Sequence, residues 1–213
     1  MKNLLESLKN LKEDDFFKNV NLHIHTNFSD GVLHPHQVIE KAENENFKII
    51  SITDHNSIEA YKYIENTGSL KIITGVEFDC WHKTNLLHIL GYGFDVNNEK
   101  LKNLCAKNSE ATRFDLVRFF NHRKAENTIE AIKEAGGIAI LAHPLFYWNI
   151  NLKKMIKELQ SFGLDGIEMY YPYVGYKRII KFHSVSSIKT IAAELNLLAT
   201  GGTDCHGEDL KTR

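Results

Sequence analysis

Lys48-Ile49-Ile50-Ser51-Ile52-Thr53-Asp54-His55 is a short apolar run that ends on an acid and an imidazole. A run of this length, flanked by polar residues, reads as a strand buried on both faces, which is the habit of parallel strands covered by helices. The same grammar recurs. Val20-Asn-Leu-His23-Ile-His25 precedes Ser29-Asp30-Gly31, and Gly75-Val76-Glu77-Phe78 closes another run. Leu87-His88-Ile89-Leu90, Gly137-Ile-Ala-Ile-Leu-Ala-His143-Pro144 and Leu198-Ala-Thr-Gly-Gly-Thr-Asp204-Cys205-His206 repeat it. Residues just past the carboxyl ends of parallel strands meet at one mouth of a barrel. Neutral imidazole and carboxylate are the donors that suit zinc, manganese and iron. The scattered histidines and acids are therefore candidates for one multinuclear metal site.

Between the strands the pattern is helical. Leu4, Leu5, Leu8 and Leu11 share a face of an expected helix over residues 2–13. Strands are expected at 20–25, 48–53, 70–76, 86–90, 138–141, 166–170 and 197–200. Helices are expected at 35–46, 57–66, 99–124, from 127 or 128 to Gly136, at 152–162 and at 176–196. Pro35 opens the first of these, and Gly136-Gly137 ends the helix before the fifth strand. Strands alternating with helices imply parallel pairing through right-handed crossovers. The repeated placement of candidate ligands after strands favours a barrel over an open sheet with a single crevice. The expected fold is α/β, a distorted seven-stranded (β/α)7 TIM-like barrel in one domain over 1–213, with 1–18 as an amino-terminal helix and lead-in.

Composition narrows the function classes. The 213 residues are 43% hydrophobic and 25% charged, ordinary for a globular domain, and the formal net charge is −1. No global basic field advertises nucleic-acid binding. Cys80, Cys105 and Cys205 are too few and too scattered for a disulfide framework. Residues 1–17 alternate Leu with Lys and Glu, unlike a signal peptide, and no run is long enough to span a membrane. A cytoplasmic protein with no obligate protein partner is expected.

The segments His23-Ile-His25, Thr53-Asp54-His55, Gly75-Val76-Glu77-Phe78, Ala142-His143-Pro144 and Gly202-Thr203-Asp204-Cys205-His206, in that order, resemble the PHP family of polymerase and histidinol phosphatase phosphoesterases. The resemblance runs from about Asn21 to Gly207. It implies a seven-stranded barrel holding two or three divalent ions, manganese, iron or zinc. His23, His25, Glu77 and Asp204 would bind the first ion. Glu77 would bridge to a second on His88 and His143, and Asp30, His55 and His206 would hold a third. Glu77, Asp204 and His206 are the expected catalytic groups among them. His88 lies in a Leu-His-Ile setting that also suits a core histidine, and it enters the set through the resemblance.

Other residues have plainer readings. Asp54 and Cys205 adjoin ligands, and strand alternation turns each away from the metal face. Asp54 then suits an acceptor behind the ligands or a cap for the next helix. His34 and His36 flank a helix start, and His82, His122 and His183 read as surface residues. Arg113, Arg118, Arg123 and Lys124, on the long helical stretch, suit either phosphate contact, Arg113 above all, or a solvated helix face, and Lys177 and Arg178, after the sixth strand, are candidate phosphate contacts. The tyrosines of Tyr170-Tyr171-Pro172-Tyr173, Tyr171 above all, suit either stacking on a base or covering apolar surface.

Clustered divalent ions bind phosphoryl oxygens and generate hydroxide from water near neutral pH, so phosphoester hydrolysis is the expected reaction. Gly91-Tyr92-Gly93 lacks the spacing and lysine of a phosphate-binding loop. The expected substrate is a small phosphorylated molecule or a short oligonucleotide end, attacked at a terminal phosphate. Histidinol phosphatase is the rival enzyme, and a non-catalytic interaction module is the rival of another class. Between His88 and His143 there is room for only about two helices, where nucleotide-directed relatives commonly carry a cap, so an open mouth is expected. The chain stops at Arg213, soon after the last motif, and the amino-terminal helix is expected to cover apolar surface that a closing helix would protect.

Overall fold

Alternating apolar runs and amphipathic segments condense into one sheet with helices packed on it. The structure, a computed structural model, describes residues 2–64, 68–173 and 182–213. In chain order the elements begin with α1 (Lys2–Lys9), α2 (Glu13–Lys18), β1 (Val20–Ile24), α3 (Pro35–Asn44) and β2 (Ile49–Ile52). A 3₁₀ turn (Glu59–Tyr63) leads to β3 (Lys71–His82) and β4 (Asn85–Tyr92). Next come α4 (Glu99–Lys102), α5 (Glu110–Arg113), α6 (Asp115–Phe119), α7 (Ala125–Glu134) and β5 (Ile138–Leu141). The described chain ends with α8 (Leu152–Ser161), β6 (Gly166–Tyr170), α9 (Val185–Glu194) and β7 (Leu198–Gly201).

The seven strands lie side by side in chain order. Four of the neighbouring pairs are parallel: β1 with β2, β2 with β3, β5 with β6 and β6 with β7. The wholly parallel sheet expected from the alternation is corrected at β4, which runs antiparallel to both β3 and β5. β3 continues six residues past Val76, and a two-residue turn, Lys83-Thr84, returns the chain as β4 with Trp81 opposite Leu86 and His82 opposite Asn85. Lys83 adopts φ 56°, a left-handed position usually marked by Gly or Asn, so no turn signature was present to read.

The long helix expected over 99–124 is also corrected. It is broken into α4, α5 and α6. Asn98 Oδ1 accepts from Leu101 N (3.0 Å), Asn108 Oδ1 from Ala111 N (3.0 Å) and Asn121 Oδ1 from Arg123 N (2.9 Å). Asparagine side chains that bond nearby backbone compete with helix continuation. α6 is inverted relative to its hydropathy: Arg118 is buried, whereas Phe114, Leu116, Val117, Phe119 and Phe120 are exposed. The expected 2–13 helix is split, with Asp15 Oδ2 accepting from Lys12 N (2.8 Å) to start α2. Residues 65–66 of the helix expected at 57–66, and 176–181 of the one expected at 176–196, lie outside the described residues.

Leu8 and Phe16 pack with Leu22, Leu90, Tyr92, Ile138 and Ile140 in one buried cluster, so α1 and α2 cover apolar side chains of three strands. Tyr92 Oη donates to Leu22 O (2.8 Å), linking β4 to β1. Past β7, Cys205 bridges to Ile24; His25 N donates to Cys205 O (2.8 Å) and Cys205 N to His23 O (3.2 Å). Gly202 permits this approach, since a Cβ there would collide with His23. A second apolar layer packs α7, α8 and α9 against β3 to β6 through Ile129, Ile156, Ile188 and Ile167.

Candidate metal centre

His23 lies on β1 and His25 just past it, on the same face by the two-residue period. Glu77 and Asp79 share a face of β3, and the antiparallel register sets Asp79 opposite His88. His55, His143, Asp204 and His206 follow β2, β5 and β7, and Asp30 sits in the loop after β1. All nine residues proposed from motifs as ligands come together at this end of the sheet.

Glu77 is at the centre. Its Oε1 lies 2.9 Å from His88 Nδ1 and 3.1 Å from His143 Nε2. Its Oε2 lies 3.1, 3.2 and 3.4 Å from His23 Nε2, His25 Nε2 and His55 Nδ1. Asp204 Oδ1 is 3.2 Å from His25 Nε2, and Asp30 Oδ1 is 3.2 Å from His206 Nε2. The donors fall into overlapping groups whose atoms lie within 4.8 Å of one another: His23/His25/Glu77/Asp204, His25/Asp30/His55/His206, Glu77/His88/His143 and His55/Asp79/His88. Two candidate ligands stand on strained backbone, His143 at φ 26° and Asp204 at φ 54°, a cost that persists where surrounding structure enforces it.

The donor set fits divalent cations. His25 Nε2, Asp30 Oδ1, His55 Nδ1 and Asp79 Oδ1 are buried at the cluster without a hydrogen bond. Such atoms are costly unless something binds them. The carboxylates and imidazoles also perturb one another. Burial lowers the pKa of His25, but Asp204 and Glu77 outweigh it and raise it to about 9. His88 rises to about 10 against burial, through Glu77 and Asp79. His55 falls to about 3, because burial exceeds the pull of Glu77 and Asp79. Burial pushes the pKa values of Glu77 and Asp204 up, and the neighbouring histidines hold both well below the carboxylate range.

Groups behind the ligands set their orientation. Glu168 on β6 is fully buried; its Oε1 is 2.9 Å from His23 Nδ1 and its Oε2 accepts from His143 N (2.9 Å). Asp54 accepts from Thr26 N (2.7 Å), Thr26 Oγ1 (2.6 Å) and Ser29 Oγ (2.6 Å), which ties down the loop carrying Asp30. Cys205 turns its Sγ to Gly207 O and Asp209 O, away from the cluster.

A cavity of about 570 Å³ opens over the cluster, with Leu86, Phe119 and Phe146 as apolar wall and Arg118 and Arg213 as cationic wall. Arg118 Nη1 donates to Asp30 Oδ2 (2.8 Å) and its Nη2 to Asp115 Oδ1 (2.5 Å). Arg213 Nε is 3.1 Å from Asp204 Oδ2, and its guanidinium lies over the ring of Phe146. Of the expected substrate contacts, Arg113 Nη2 donates to Asn27 O (2.7 Å) and does not line this cavity. Tyr171 is buried and its hydroxyl donates to Asp204 Oδ2 (2.7 Å). Lys177 and Arg178 lie outside the described residues. His34 begins α3, and His183 is bonded to Asn149 O (2.7 Å). His82, read as a surface residue, is instead buried beside Glu158 (2.8 Å).

Sequence reasoning missed Asp79, Glu168 and Arg213 as site groups, and favoured a solvated helix face for Arg118, which instead lines the cavity. Glu168 had a signal, an acid inside the apolar run 166–170. Asp79 had one too, the Glu-x-Asp alternation, which lies past the expected end of the third strand at Val76.

Sheet and site together define an α/β protein with a histidine–carboxylate cluster at the strand ends that could hold several metal ions. Residues 21–144 match the PHP domain family, and the chain belongs to it. It is 26% identical over 219 aligned residues to a 5'-3' exoribonuclease of Haemophilus influenzae, covering 71% of this chain and 79% of that protein. It is 20% identical over 254 residues to a phosphoribosyl 1,2-cyclic phosphate 1,2-diphosphodiesterase of Eggerthella lenta, covering 88% and 94%. Among solved structures, a protein of Bifidobacterium adolescentis described as a metal-dependent phosphoesterase superposes with a TM-score of 0.68 at 21% identity, covering 90% of this chain and 88% of that one.

Proposed function

We propose that this protein hydrolyses terminal phosphates of nucleotides or short oligonucleotides. The coarser activity is that of a metal-dependent phosphoesterase. The observation that carries the reading is Glu77, one buried carboxylate reached by five histidines beneath a cavity walled by two arginines. His23, His25, Glu77 and Asp204 would hold one cation, Glu77, His88 and His143 a second, and His25, Asp30, His55 and His206 a third. Bound divalent cations supply Lewis acidity toward a phosphoryl oxygen and lower the pKa of water.

The chain's own residues do the rest. Glu168 holds His23 with Nε2 facing the cluster. Tyr171 and Arg213 both engage Asp204 Oδ2, leaving Oδ1 to the cluster. Arg118 and Arg213, each paired with a carboxylate, stand in the cavity wall, and the charge of bound cations would favour a dianionic terminal phosphate over a singly charged internal diester. Leu86, Phe119 and Phe146 offer apolar surface to a sugar or base. The interval between His88 and His143, filled by α4 to α7, contributes Arg118 and Phe119 to the wall. The Ile24–Cys205 bridge supports a further part of this reading, that the sheet rolls into a distorted barrel. Among the described residues no helix is long and apolar enough to cross a membrane.

The test compares turnover, with manganese added, on a nucleoside bisphosphate, a terminally phosphorylated short RNA, histidinol phosphate and a circular single strand. The RNA and the bisphosphate are expected to be cleaved. Efficient cleavage of the circle refutes terminal recognition, preference for histidinol phosphate supports that rival, and inactivity on all four supports the interaction module.

A further inference from the structure

Asp79 stands outside the nine residues drawn from motifs, yet β3 sets it on the face of Glu77, one alternation along. It is 1% exposed. One carboxylate oxygen is pinned: Oδ2 accepts from Asn56 Nδ2, and Asn56 Oδ1 accepts in return from Asp79 N (3.0 Å). Asn56 makes this reciprocal pair from a left-handed backbone, φ 53°. The other oxygen is held toward the cavity. Oδ1 lies 3.1 Å from His88 Nε2 and 3.6 Å from His55 Nδ1, and it is buried without a hydrogen bond. The His88 contact is an ion pair, and His55 Nδ1 lies beyond hydrogen-bond reach. Arg118 does not answer it either, since its Nε approaches Oδ2, at 3.8 Å. A buried carboxylate oxygen held only by an imidazole ion pair, with no well-formed hydrogen bond, keeps room for a cation.

From this geometry we propose that Asp79, His55 and His88 form a further divalent-cation position, making Asp79 a tenth ligand of the centre. The three donor atoms lie within 4.8 Å of one another and line the cavity. One carboxylate and two imidazoles suit manganese, iron or zinc and leave open coordination positions facing the substrate. A neutral imidazole has one lone pair. A cation here therefore takes His55 from the Asp30/His206 group and His88 from the Glu77/His143 group. The position is a second lodging for a cation of those groups rather than an addition to the total. The inference rests on the metal-dependent reading above.

The test uses Asp79→Asn in the full chain. The amide oxygen can still accept from Asn56 while its nitrogen, a non-ligand, faces the cavity, so the variant removes ligation and spares the pin. Mn2+ binding is titrated by calorimetry and by the paramagnetic resonance signal of free ion, and melting is followed with chelator and with excess Mn2+. At least one binding event is expected to weaken about tenfold or more, as when a partner of a metal ligand is lost. The rise in melting temperature on adding Mn2+ should shrink, while melting in chelator stays near wild type. If Asp79→Asn does not fold, Asp79→Ser is read in the same way. Wild-type protein that binds no Mn2+ overturns this inference and the proposed function together. Wild type that binds, beside a variant with every binding event unchanged, overturns only the role of Asp79.

Discussion

Glu168→Gln probes whether the centre is organised from behind. The wild-type carboxylate accepts two hydrogen bonds, from His23 Nδ1 and from His143 N, both 2.9 Å. A carboxylate does this with two acceptor oxygens; an amide has one acceptor and one donor. The substituted amide would satisfy one of these groups and set an N–H against the other. At a fully buried site one orphaned donor costs about 1–3 kcal/mol. For a domain of this size that is a fall of roughly 2–12 °C in the melting temperature of the metal-free protein. If the amide keeps His143 N, the His23 ring loses the partner that fixes its Nδ1 proton; if it keeps His23, the strained His143 backbone is released. Either way cation affinity should fall about 10–100-fold. A second effect opposes this. Burial lowers the His23 pKa, but Glu168, with Glu77 and Asp204, raises it well above the ordinary value. Removing the Glu168 charge makes His23 less basic, so protons compete less with the cation. That compensation acts only where His23 is protonated, so the deficit should widen as pH rises. Calorimetric Mn2+ titration of both proteins at about pH 7 and about pH 9 reads it. Equal affinities at both pH values, with unchanged melting, would refute the orienting role.

Glu77→Gln removes the charge shared among five histidines, and turnover should fall by at least about a hundredfold with loss of bound cation; normal turnover would place the chemistry elsewhere. The raised pKa values of His25, about 9, and His88, about 10, give the metal-free protein stability that is full below about pH 6.5 and lost as pH rises toward them. Cation affinity should increase over the same interval, because binding displaces those protons. Melting in chelator and Mn2+ titration between about pH 6 and 9 check both signs, and a flat response in both counts against the ion pairs. Cys205→Ala should keep turnover within about twofold, since its Sγ faces Gly207 O and Asp209 O rather than the cluster. A variant depleted of metal would contradict that geometry.

The sequence by itself carried the strand number, the α/β class and the nine motif ligands that the structure brings together. The first two rest on local pattern, and the nine candidate ligands, His88 above all, on the resemblance to the PHP family. An apolar run of four to six residues can be read without its neighbours, and His23 and His25 share a face by the geometry of any strand. Tertiary structure alone decided the rest. The β3–β4 hairpin turns at Lys83, a residue with no turn preference, so the antiparallel insertion and the reach of β3 to Asp79 were invisible. Arg118 was one charge among several on an expected solvated helix. It became a wall of the site because Asp30 and Asp115 neutralise it when buried, and their grip turns α6 with its phenylalanines outward. Glu168 read as an acid in a buried strand, and only the convergence of β1, β5 and β6 shows which two donors it satisfies. Local chemistry proposes ligands; which carboxylates hold them in place depends on partners far away in the chain.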